Sequence, residues 1–347
     1  MTAPQDQAAG DHTIPVALPA QLHDAGLEDW FAERVRPLVG GEAEDFVDGT
    51  WGGPGDGLSS GELDAVVSRM RRCDGAPERA ALTMMAGWNA GYVAWVIASA
   101  MLRDGVLVRA SRPGVLRVLR HPDGWCTDAR LGADAEVAVA AGHPWCGRPG
   151  VETLPDRASL EAEAIAEIVR ACTPIIEVIA TRSRRGRAGL WAQIADSVGG
   201  AAYSLHDAEP QIPTDTVIGA TERLLHAPGA PWKQTPDFWL ADAEGGPVLI
   251  KHRGSCCLYY RFDPDAREEQ SPEEEEERDA AHLERFGDDP PHYCATCLFR
   301  EPEDVEARMV YYAERVRAGS EVHILLSHTE DIKRWNIAMT RSLSRSP

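Results

Sequence analysis

The sequence predicts a helix-rich α+β fold with short β-hairpins and a cysteine-rich segment toward the C-terminal end. Three observations lead there. Apolar residues recur at spacings of three and four over several long stretches, as in helices that bury one face. Short apolar runs flank Gly and Pro turns at a few places only, enough for hairpins but not for a doubly wound sheet. Of the eight cysteines, four form two close pairs, Cys256 with Cys257 and Cys294 with Cys297.

The elements follow in chain order. Residues 27–36 carry Leu27, Trp30, Phe31 and Val35 on one helical side, and Pro37 is expected to end that helix. Ser59 and Glu62 have capping-box spacing for a helix reaching about Arg72. Residues 80–102 contain no Asp, Glu, Lys or Arg. That length approaches a membrane span, and Gly87 and Gly91 have a small-xxx-small spacing. Thr83, Asn89, Ser99 and the two glycines dilute its apolarity, so a buried core helix is the expectation. Val106–Val108 and residues 115–119 flank Arg112-Pro113-Gly114 and read as a hairpin. Residues 147–155, rich in Gly and Pro, read as a linker or long loop.

A long helix is expected after Pro155, with Ile165, Ile168, Cys172, Ile175 and Ile179 on one face and a kink at Pro174. Gly186 interrupts the run. Leu190, Trp191, Ile194, Ala195 and Val198 make a second apolar face, and residues 216–225 a further helix. Phe238-Trp239-Leu240 and Val248-Leu249-Ile250 flank Glu244-Gly245-Gly246, a hairpin that leads directly into Cys256. Beyond Cys297, the residues Val305, Met309, Tyr312 and Val316 indicate a helix stopped by Gly319. Residues 322–326 read as a strand and 332–343 as a last helix. The expected organisation is a tail over 1–24, a helix-rich core over 25–255, a cysteine segment over 256–300 and a helical extension over 301–347.

The formal net charge of −20 argues against nucleic acid as a partner, because phosphate recognition needs a basic surface. The first stretch lacks the basic and apolar regions of a secretory signal, so a reducing cytoplasm is expected. In that compartment paired cysteines point to metal or redox chemistry before disulfides.

Cys294-Ala295-Thr296-Cys297 is a CxxC, whose turn can aim two sulfurs at one metal centre. Cys256 and Cys257 are adjacent, and on an extended strand their side chains would point to opposite faces. They must therefore sit in a turn or bulge. Four thiolates suit a [2Fe–2S] cluster or a four-cysteine zinc site, and spacing alone leaves both open.

The stretch from Gly254-Ser255-Cys256-Cys257 through Leu258-Tyr259-Tyr260-Arg261, with Tyr293-Cys294-Ala295-Thr296-Cys297, resembles the C-terminal signature of the FhuF-like ferric siderophore reductases. The helix from Leu190-Trp191 to Asp196-Ser197 is similar to one in the same family. The resemblance implies a [2Fe–2S] cluster on Cys256, Cys257, Cys294 and Cys297. It also implies reduction of ferric siderophores, with a one-electron donor protein as partner. This chain departs from the pattern in two ways. Between Cys257 and Cys294 lie 36 residues, against roughly ten in the family. Within them, positions 263–289 hold 13 acidic and 3 basic residues, and the chain continues 50 residues past Cys297. Loop entropy rises slowly with length, so such an insertion is compatible with a shared metal site.

The alternative function is a structural or redox-sensing metal protein, with iron–sulfur or zinc, that performs no reductase turnover. Other residues have plainer readings. Cys172 is expected in the core, while Cys73, Cys126 and Cys146 lack paired spacing. His282 and His292 lie near the cysteines, but four thiols already complete a ligand set. Arg182, Arg184, Arg185 and Arg187 are expected to offset a helix C-terminus, with an anionic ligand or donor protein as the other reading. Trp232 and Trp239 precede the cysteines and are candidates for shielding the site.

Overall fold

The computed structural model describes residues 19–40, 49–73, 75–209, 211–258, 261 and 293–318. The acidic stretch 263–289, His282, His292, Gly319 and the strand and helix expected beyond it lie outside the described residues.

The architecture mixes helices with short strands. Helix α1 is assembled from Leu27–Trp30, a π-turn at Phe31–Val35 and Arg36–Val39. Pro37 does not end it. The proline stands at the start of the last segment, just after the wide π-turn, where the missing N–H and the bulky ring disturb least. Strand β1 (Thr50–Gly52) leads to helix α2 (Ser60–Cys73). The amide of Ser59 donates to the Glu62 carboxylate at 3.0 Å, and the Ser59 hydroxyl donates to the same oxygen, so one half of the expected capping box is present.

The apolar stretch forms helix α3, through Glu78–Ala86, a π-turn at Gly87–Gly91 and Tyr92–Asp104. Its residues are buried nearly all round, as for a helix at the centre of a core. No helix among the described residues is long and apolar enough to cross a membrane. Gly105 ends α3 in the left-handed conformation, φ 65°.

Six strands form two sheets beside these helices. One has the order β1, β3 (Leu116–Arg120) and β4 (Cys126–Leu131), all antiparallel. The other contains β2 (Val106–Val108), β5 (Val137–Ala140) and β6 (Val151–Leu154). Strands β2 and β3 therefore do not form the expected hairpin. Arg112-Pro113-Gly114 does turn, but it carries the chain from one sheet to the other. Arg109 N bonds Glu136 O on the β5 side, while Gly132 N bonds Val115 O on the β4 side. Here the hairpin is instead β3–β4, closed at His121-Pro122-Asp123-Gly124 by the bond from His121 N to Trp125 O at 2.8 Å. The stretch read as a linker over 147–155 contains β6, which pairs in parallel with β5, Val139 opposite Thr153.

Asp156 caps helix α4 (Arg157–Ala180) by accepting the amide of Ser159 at 2.7 Å. The helix runs on through Pro174. Gly186, at φ 78°, is the N-cap of helix α5 (Arg187–Ala208), and helix α6 (Thr214–Leu225) follows. The expected hairpin appears as β7 (Asp237–Ala241) and β8 (Val248–His252), with Trp239 opposite Ile250. Helix α7 (Pro302–Arg317) buries Val305, Met309 and Tyr312.

Helix α5 joins the core to the cysteine segment. On one side it packs against the α3 π-turn, where Gly91 leaves room that Ser197 fills. On another, Gly199 admits Pro236 and Phe238 at the start of β7. A side chain at either glycine would push these elements apart.

Candidate metal and redox site

Strand β8 ends at His252, and the chain bends at Gly254-Ser255 to present Cys256 and Cys257. The vicinal pair follows that bend in irregular chain, off the strand. Leu258, immediately after it, has φ 66° and is the one non-glycine residue in the left-handed region among the described residues. Strain of that kind is retained where surrounding contacts over-determine it.

Contacts from α5 and from the link before it fix the bend that precedes Leu258. Asp196 Oδ1 accepts the Gly254 amide at 2.9 Å, and Oδ2 accepts Arg253 Nε at 3.2 Å and the Ser255 hydroxyl. Gln193 Nε2 donates to the Cys256 carbonyl at 3.1 Å and to Ser255. Arg185, in the link ahead of α5, donates to the same Cys256 carbonyl. Sequence reasoning placed Asp196 on a family-like helix but missed these three side chains as supports. Their partners lie 57 to 71 positions away, so no local spacing announces them.

The second pair is fixed from its own side. Cys297 N bonds Cys294 O at 3.0 Å, closing the CxxC turn. Arg300 donates to the carbonyls of Cys294 at 3.0 Å and Tyr293 at 2.8 Å, and is anchored by Asp304. Two bonds join the halves. Arg253 N donates to Thr296 O at 3.0 Å, and His252 Nε2 lies 3.1 Å from Cys297 O. Trp239 stands edge-on to His252 and donates to Glu306 of α7 at 2.7 Å, so it packs behind this junction. Trp232 instead bonds Leu225 O at the end of α6.

The structure brings all four paired cysteines together. The Cys257 and Cys294 thiols interact with one another, as do those of Cys294 and Cys297 and those of Cys297 and Cys256. The Leu258 amide adds a bond to Cys256 Sγ at 3.3 Å. The Cys297 hydrogen bond, with help from the Leu258 amide, holds Cys256 below the usual thiol range despite burial. The interaction with Cys294, then burial, pushes Cys257 well up. The interaction with Cys257 lowers Cys294, but that with Cys297 and burial outweigh it and leave Cys294 at about 11. The interaction with Cys256 takes Cys297 to about 11 as well.

Cations surround the thiols. Burial lowers Lys251 to about 8, and its Nζ lies 3.4 Å from Asp196 O. Burial acts against the charge of Arg253, but Asp196 and the thiolates of Cys257 and Cys294 outweigh it and raise its pKa. Among the described residues, no three or more His, Cys, Asp or Glu gather into a cage for a single metal ion. The thiols form a linked chain of two pairs. Four soft donors, three buried and Cys257 half-buried, with cations beside them fit a [2Fe–2S] cluster, whose thiolates need their negative charge offset.

The remaining cysteines stay apart from this site. Cys172 is in the core, donating to Ala90 O at 3.2 Å, and burial raises its pKa. Cys126 is buried beside Asn89, while Cys146 and Cys73 are exposed. Of the arginine group, Arg182 and Arg187 bind carboxylates, Arg184 is exposed, and Arg185 turns to the cysteine segment.

Comparison with protein-family models, with curated proteins and with solved structures returned no match.

Proposed function

We propose that Cys256, Cys257, Cys294 and Cys297 hold a [2Fe–2S] cluster, and that the chain reduces siderophore-bound Fe³⁺ to Fe²⁺. The observation that carries this reading is the linked chain of four thiols, drawn from two segments and set beside Arg185 and Arg253. When bound, such a cluster takes up and gives back single electrons. The residues of the chain do the rest. Asp196, Gln193 and Arg185 fix the first pair, Arg300 and the CxxC turn fix the second, and burial limits water at Cys256, Cys294 and Cys297.

The overall step balances with one electron. Siderophore-bound Fe³⁺ gains it and becomes Fe²⁺, and a one-electron donor protein restores the reduced site. Hard oxygen donors hold Fe³⁺ far more tightly than Fe²⁺, so the ion is released without any general acid or nucleophile. The net charge of −20 favours cationic or neutral hydroxamate complexes over anionic catecholates, a preference that salt should weaken.

The test is stopped-flow mixing of reduced protein with ferric hydroxamate and catecholate complexes, with a ferrous chelator present. Reoxidation of the protein with matching Fe²⁺ production supports the reading. Reoxidation no faster than with simple ferric chelates, and no Fe²⁺ from any siderophore, removes it.

One observation favours a second reading. The cysteines join β8 to the segment that starts α7, through Arg253 to Thr296 and His252 to Cys297. A metal there would act as a staple or a redox sensor without turnover. Zinc in place of iron and sulfide identifies the staple, and reversible reduction without ferric-chelate turnover identifies the sensor.

A further inference from the structure

We propose that Arg185 is a positioning residue that raises the electron affinity of the cysteine site. The inference rests on the [2Fe–2S] reading above. It begins from a contrast among four neighbouring arginines. Arg182 pairs with Asp64 at 2.7 Å and Glu78 at 2.9 Å. Arg187 is held by Glu177, with Nε 2.6 Å from a carboxylate oxygen. Arg184 is exposed. Arg185 alone of the four reaches into the protein, to the Cys256 carbonyl, and makes no ion pair with a carboxylate among the described residues.

A guanidinium withdrawn from water needs a compensating charge. The negative groups acting on Arg185 are Cys256 and Cys257, while Arg253 and Arg79 oppose it. Its counter-charge is therefore the cysteine site itself. Four thiolates around an oxidised [2Fe–2S] centre carry net negative charge, and reduction adds one more. A fixed cation nearby stabilises the reduced state more than the oxidised one.

The neighbouring Gln193 makes this inference separable from a purely structural role. Its Nε2 donates to the same Cys256 carbonyl at 3.1 Å. Removing Arg185 thus deletes a charge while the turn keeps a donor.

The experiment compares the wild type with R185M and R185K, using R182M and R187M as controls. Each protein is purified anaerobically, assayed for iron and sulfide, and titrated with redox mediators while its visible and paramagnetic spectra are followed. R185M is expected to keep its iron and sulfide and to be about tenfold harder to reduce, about 59 mV more negative for one electron. R185K is expected between R185M and the wild type, and both controls at the wild-type value. A loaded R185M with the wild-type potential overturns the proposal. Should R185M fail to load, the neutral R185Q decides, since a loaded R185Q with the wild-type potential overturns it equally. A wild-type protein without iron and sulfide removes the cluster reading, and this inference with it.

Discussion

Asp196 Oδ1 accepts the amide of Gly254 at 2.9 Å, across 58 positions of sequence. One carboxylate on α5 thereby sets the bend that presents Cys256, and it also bonds Ser255 and Arg253. In Asp196→Ala, Arg253 would lose its carboxylate and two donors of the turn would lose their acceptor. The expected cost is about 3 kcal/mol, the usual scale for breaking a buried pair. Asp196→Asn keeps an acceptor and should cost less. Urea unfolding of the two variants checks the order.

Serine in place of Cys256, Cys257, Cys294 or Cys297 should lose or destabilise the bound metal, because a hydroxyl is a poor substitute for a soft thiolate. Cys73→Ser and Cys172→Ser should retain it. Serine at position 172 can still donate to Ala90 O, so the core should lose no more than about 1 kcal/mol. Iron, sulfide and zinc analysis of each variant gives the answer. Metal loss from a folded Cys172→Ser protein would show the ligand assignment to be wrong.

Gly254 sits against the backbone of Thr235, where an added Cβ would collide with main-chain atoms that cannot swing aside. Gly254→Ala should therefore shift the bend and cost about 2 kcal/mol, as overpacking does. A lower Tm and faster alkylation of Cys256 would report it. An unchanged Tm would mean that the link around Thr235 yields easily.

Acid should weaken the fold before carboxylates titrate. Trp145 N donates to His143 Nδ1 at 3.1 Å, so the ring is neutral and its Nε2–H faces Asp104 O at 3.2 Å. Burial lowers His143 and His206 below the ordinary histidine range. The unfolded chain therefore takes up these protons first. Their stabilising contribution is complete above about pH 6.5 and is lost as pH falls toward the lower folded values. Urea midpoints measured from pH 7.5 to 5 should decline, and His143→Gln should flatten the decline. A wild-type curve flat through that window would contradict this.

Much of the helical framework could be read from spacing. The apolar faces of α4 and α5 are long, and the Ser59–Glu62 spacing, Pro155 and Gly186 bound their helices by local chemistry. Strand partnership was less legible. Pro113-Gly114 signals a turn, but a turn does not state whether the next strand returns to the same sheet. The true hairpin turn, His121 to Gly124, was passed over, and β6 lay hidden in a stretch whose glycines and prolines resemble a loop. At the candidate site the cysteine pairs were evident, because their chemistry is written in adjacent letters. Gln193 and the inward-turned Arg185 were not, because each acts on the turn from a distant position. Arg185 was further masked by three arginines with surface roles.

The bonds from Arg253 to Thr296 and from His252 to Cys297 do not depend on the chain that connects them. Trp239 with Glu306, and Arg317 with the carbonyls of Gly246 and Pro247, tie the same two pieces together. The site is thus a clasp between two stretches of polypeptide, whatever path residues 262–292 take. A single protease cut between them would leave two fragments that still fasten, and the metal would be their buckle. Nicked protein should travel as one species until a chelator is added.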